Sequence, residues 1–91
     1  MKTIVIPKKL RDYIEKLNYE KTSRLNNMIF MMQNNICNID MFDKINNEYR
    51  EYFICYELAK KKLEEMYISP QVESFLKWEL DFNSNEVRIH E

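Results

Sequence analysis

The sequence predicts a mostly helical α+β fold: a long antiparallel αα-hairpin with a small antiparallel sheet at its open end. Three observations carry this. Residues 8–34 and 41–67 place apolar side chains three and four apart, with no Gly or Pro inside either segment. A short, asparagine-rich polar link joins two segments of nearly equal length, which favours antiparallel neighbours. Short segments at the two chain ends are β-branched or strictly alternating.

The elements follow in order. Lys2 to Ile6 is β-branched and closed by Pro7, whose ring removes a donor, so it reads as a strand over 2–6. Pro7 also suits the start of a helix. Over 8–34 the apolar residues are Leu10, Ile14 and Leu17, then Leu25, Met28, Ile29, Met32 and Ile36 just beyond, with Lys21 and Arg24 interrupting. One continuous helix is preferred to two helices capped at Thr22 or Ser23, because neither residue has a Glu or Gln three positions later. Asn34, Asn35, Asn38 and Asp40 mark a loop over 35–40, since such side chains favour turns and N-caps.

The second helix, 41–67, carries the clearest pattern in the chain. Phe42, Ile45, Tyr49, Tyr52, Tyr56, Ala59, Leu63 and Met66 alternate spacings of three and four over three heptads, as a packed helical seam does. Lys60, Lys61 and Lys62 near its end complement the helix dipole, and Pro70 follows. Leu76, Trp78, Leu80 and Phe82 then alternate with Lys77, Glu79 and Asp81. After Asn83–Asn85, Val87 and Ile89 alternate with Arg88 and His90, which gives a β-hairpin over 75–90 with one apolar face. Joined by 2–6 it makes a three-stranded sheet, stable where an isolated hairpin is not.

Composition excludes several chemistries. The 91 residues form one domain with a thin core, and oligomerisation is the expected remedy. No glycine is present, so phosphate-cradling loops, dinucleotide fingerprints and nucleophile elbows are absent. His90 is the only histidine and lies one residue from the end, which leaves triads and two-histidine metal motifs without parts. No cofactor or metal site is expected. Glu48 with Glu51 and Glu64 with Glu65 read as exposed helix charges, because Lys44 and Lys61 stand four residues from Glu48 and Glu57. Cys37 is placed in the loop and Cys55 beside the seam as a small apolar filler; without a cysteine framework, both read as free thiols in a reducing, cytoplasmic setting. The longest apolar run, Met28 to Met32, is far short of a membrane span. A non-enzymatic protein is therefore expected.

Binding surfaces are better supported. Phe30, Met31, Phe53 and Ile54 lie beside the seam, so each helix has more apolar surface than one partner helix covers, and two hairpins related by a twofold axis would form a four-helix bundle. A strand edge around 2–6 or 86–90, with Trp78 and Phe82 as pockets, offers backbone groups to an extended peptide. The expectation is a homodimeric accessory protein that binds a protein or peptide: an adaptor, a substrate-presenting subunit or a phage- or plasmid-type inhibitor.

The alternative is a DNA-binding regulator. The strand Lys2 to Ile6, Pro7, then Leu10, Ile14 and Leu17, with Thr22 and Ser23 at a second helix start, resembles ribbon-helix-helix repressors over about 33 residues. The resemblance implies paired N-terminal strands in a major groove, with Thr3 and Val5 toward bases and Lys2, Lys8, Lys9 and Arg11 near phosphates. The chain departs from that pattern: it has no Gly in the inter-helix turn, an apolar Val5 at a base-reading position, and its best heptads outside the match. A winged-helix reading of the C-terminal hairpin would line the wing with Glu79, Asp81 and Glu86, which phosphates repel. The net charge of −1 also lacks the basic excess usual for such partners.

Overall fold

The computed structural model describes residues 2–36, 38–75 and 77–90. Strand β1 (Lys2–Val5) leads into helices α1 (Lys8–Gln33) and α2 (Ile39–Leu63), a π-helical turn (Glu64–Ile68), and strands β2 (Lys77–Asp81) and β3 (Glu86–His90). Two long helices pack against each other and accompany a three-stranded antiparallel sheet, as the patterns predict. α1 runs unbroken through Thr22 and Ser23. Cys37 and Leu76 lie outside the described residues.

Local chemistry sets the element ends. The Pro7 carbonyl accepts from the N–H groups of Leu10 and Arg11, at 3.1 and 3.2 Å, and opens α1. At its other end Asn35 takes a left-handed φ of 54°, the Asn35 N–H reaches the Met32 carbonyl, and the Ile36 N–H reaches the Met31 carbonyl at 2.9 Å. This is the Schellman closure, with asparagine where glycine is usual. Asn38 then caps α2: its side-chain oxygen accepts from the Met41 N–H at 3.0 Å, so α2 starts two residues earlier than expected.

The chain divides into two compact units, Met1–Glu15 with Leu58–Glu91, and Lys16–Glu57. The first holds the sheet, in the order β1-β3-β2, with Ile4 opposite Val87 and Val87 opposite Leu80. Ile4, Val87 and Ile89 are buried and form its core with Ile6, Ile14, Ala59, Leu63 and Ile68. Thr3, Val5, Glu79, Asp81, Glu86 and Arg88 share the opposite face, where Arg88 pairs with Asp81 at 2.7 Å. β3 lies between the other two strands, so the edge expected at 86–90 is not an edge; both its sides are consumed by pairing.

The seam also ends differently from the expectation. Within the π-turn the Ser69 N–H bonds to the Glu64 carbonyl at 2.8 Å, five residues back, so the turn holds an extra residue. That rotates the last heptad position out of register: Met66 is exposed and Ile68 takes the core place.

Candidate protein-interaction surface

The second unit is built on α1 from Lys16 and α2 to Glu57. Counting from Leu10 by fours and threes through Ile14 and Leu17 gives Lys21, Arg24, Met28 and Met31. This is the stripe the structure turns inward: Leu17, Met28 and Met31 are buried, and Lys21 and Arg24 are half-buried among aromatic rings. The Lys21 ammonium lies 4.4 Å from the Tyr56 ring centroid and 5.9 Å from that of Phe53; the Arg24 guanidinium lies 4.7 Å from Tyr52. Aromatic faces attract cations, so the tyrosines opposite supply the electrostatics that let two charges sit in a seam.

Two carboxylates complete this layer. Arg24 bonds to Glu20 on its own helix and to Glu48 across the seam at 3.3 Å. Glu48 thus reaches the other helix in addition to any pairing with Lys44. Desolvation opposes the guanidinium charge, but Glu20 and Glu48 outweigh it and raise the pKa of Arg24. Phe53, 6.0 Å from the Tyr49 ring, belongs to the rim of this layer, with part of its surface exposed.

Because α1 uses that stripe, Leu25, Ile29 and Met32 fall on a neighbouring face, also at spacings of four and three, and Ile36 follows beyond the end of the helix. All four are exposed, Met32 at 68%. Phe30, Ile39 and Met41 are exposed too, Ile39 at 74%. Asn27, Phe30, Met31, Ile36, Met41 and Ile45 line a cavity of about 270 Å³. Among the described residues, this unit holds only three of eleven buried apolar side chains but ten of fourteen exposed large ones. Together the seven exposed side chains between Leu25 and Met41 present on the order of 700 Å², comparable with the ~800 Å² each partner contributes to a standard interface.

The expected partner-binding residues divide. Phe30 and Ile54 are exposed. Met31 is 5% exposed and faces the seam, since the charged pair does not interrupt the heptads, so it is not part of a free flank. Trp78 donates its indole N–H to Glu64 at 2.5 Å and carries the Lys60 ammonium 5.9 Å from its ring; Phe82 is half-buried, and its carbonyl accepts from Arg11. These two are engaged within the first unit instead of forming open pockets. Cys55 is an exposed free thiol, contrary to the apolar filler expected.

The DNA-reading set is likewise split. Thr3, Val5, Lys8 and Lys9 are exposed. Lys2 donates to the Gln71 carbonyl at 3.0 Å, and Arg11 is held by Asp12 and the Phe82 carbonyl. Among the described residues no three His, Cys, Asp or Glu side chains cluster as a metal site would require, and no helix is long and apolar enough to cross a membrane.

One signal for this surface went unread in the apolar count. Residues 25–39 contain no charged residue, and no other charge-free run in the chain exceeds seven. Three of the chain's six methionines fall in that run, and loss of charge with enrichment in methionine marks the centre of protein interfaces. Comparison with family models, curated proteins and solved structures finds no match, so the functional reading rests on these residues alone.

Proposed function

We propose that this chain is a small non-enzymatic interaction protein that dimerises through its helices and binds a protein or peptide partner, in a reducing cytoplasmic setting where its thiols stay free. The observation that carries the reading is the charge-free end of the helical unit, residues 25–39, which exposes most of its large apolar side chains. A soluble monomer rarely leaves such a patch uncovered. A twofold contact here brings no like charges together and adds core to a unit with three buried apolar side chains among its described residues.

Light scattering coupled to size exclusion tests the dimer. At tens of micromolar the expected mass is twice 11.3 kDa, and 11.3 kDa across that range overturns it. Against the DNA-binding alternative stand the hydrogen bonds that Lys2 and Arg11 already make within the chain. Saturable binding of mixed-sequence duplex DNA at about 50 mM salt, falling steeply at about 200 mM, would restore it.

A further inference from the structure

The sheet has two open edges, and they are unequal. Along β2, Lys77, Glu79 and Asp81 alternate with Trp78 and Leu80; Lys77 pairs with Glu79 at 3.5 Å, and Arg88 with Asp81. Charges of this kind block edge-to-edge pairing. Along β1, Thr3, Ile4 and Val5 carry no charge, and Val5 is 68% exposed.

The backbone of β1 is in phase for a further strand. The Ile6 N–H bonds to the Asn85 carbonyl at 2.9 Å, which makes Ile6 and Asn85 a hydrogen-bonded pair. Antiparallel pairs alternate, so Ile4 with Val87 and Lys2 with Ile89 face inward likewise. Thr3 and Val5, opposite Arg88 and Glu86, then turn their N–H and C=O groups to the open side. Two donors and two acceptors there are spaced about 6.8 Å apart, the two-residue repeat of an extended chain.

Charge selects the occupant. Lys8 and Lys9 are exposed where α1 begins, no acidic residue stands in its first turn, and that helix end is itself positive. In a self-pairing that sets Thr3 against Val5 of a second copy, this lysine pair would lie beside the other copy's Lys2. A foreign strand with carboxylates only at its ends meets these lysines as attraction and keeps its uncharged middle beside Glu86, which lies opposite Val5.

We infer that the β1 edge binds an extended acidic peptide by strand addition, through the main-chain groups of Thr3 and Val5, with carboxylates held near Lys8 and Lys9. The inference deepens the peptide-binding part of the proposed function and rests on it; the helical dimer does not enter.

The probe is a short synthetic peptide of alternating valine and threonine, flanked at each end by glutamates, titrated into the whole protein by NMR. Its addition is expected to slow amide exchange at Thr3 and Val5 while leaving Lys77–Asp81 unchanged. A lysine-flanked counterpart is expected to bind at least tenfold more weakly. Thr3→Pro removes an edge-facing donor but none that serves β3, so the fold should persist and binding fall about fivefold, the worth of one hydrogen bond. Protection at β2, equal affinity for both peptides, full binding by Thr3→Pro, or no binding at millimolar peptide would each overturn the inference. Protection of Thr3 and Val5 that rises with protein concentration alone would overturn it in favour of a second copy. Apart from that pairing of two copies, which would itself double the mass, none of these results changes what light scattering reads, so the edge and the helical dimer fail separately.

Discussion

Met32→Lys separates the proposed dimer from the stability of the single chain. Met32 is 68% exposed. Fully burying a methionine stabilises by about 1.5–3 kcal/mol, so covering this exposed part is worth roughly 1–2 kcal/mol per copy, and roughly 2–4 kcal/mol when a twofold axis counts it twice. Lysine forfeits that and sets two cations across the axis. The dimer dissociation constant should therefore rise at least about 30- to 1,000-fold. Within the chain the change points the other way. Lysine is a good helix former, and the last turn of α1 has no basic residue to complement its dipole. Sedimentation over a concentration series reads the first effect. Helicity of the dissociated protein reads the second, and should hold or increase. A dissociation constant within threefold of the parent would refute the reasoning, as would loss of helicity in the variant at concentrations where the parent is itself monomeric.

Three further outcomes test the fold and its seam. Asn85 sits at φ 58° in the β2–β3 turn, so Asn85→Ala should lower stability by about 1–2 kcal/mol and Asn85→Gly should not; equal melting temperatures would show the left-handed assignment wrong. A double-mutant cycle on Lys21 and Tyr56, using Lys21→Ala and Tyr56→Leu, should give a coupling of about 0.5–1 kcal/mol, and zero coupling would remove the cation–aromatic layer from the account. Asp81 accepts the Asn83 N–H at 2.9 Å and faces Arg88, which hold its pKa below the ordinary 3.8. A lowered folded pKa gives stability that is whole above 3.8 and is lost as pH falls through the folded value, so the urea midpoints of the parent and Asp81→Asn should converge in that acid range. A gap that stays constant from pH 6 to about pH 2 would contradict the assignment.

Most of the fold is legible in spacing because spacing is what the physics acts on. Period-two alternation placed both C-terminal strands, the Tyr49–Tyr52–Tyr56 stripe placed the inner face of α2, and the asparagines marked the caps and both left-handed residues that a chain without glycine must find elsewhere. Two features lay outside that grammar. The π-turn adds a residue to the Glu64–Ile68 ladder, and no residue type announces it, so Met66 and not Ile68 looked like core. The order β1-β3-β2 is a choice of partner that alternation along single strands does not express.

The inner face of α1 is harder to see in the sequence, and it hides the candidate surface. A pattern that counts only apolar residues treats Lys21 and Arg24 as a break and restarts at Leu25, Met28, Ile29 and Met32. The true seam keeps its spacing through both cations, since Tyr52, Phe53 and Tyr56 offer ring faces where aliphatic side chains would have offered nothing to a charge. Once Met28 and Met31 are assigned to that seam, Leu25, Ile29 and Met32 are left as a second stripe with the same spacing, exposed among the described residues. A helix with two charged residues on its inner face and no charge from Leu25 to its end at Gln33 has surfaces for two partners. α2 is one of them. On the proposed reading the other comes from another chain, and the exposed apolar stripe is the reason to read the protein as one that works by binding.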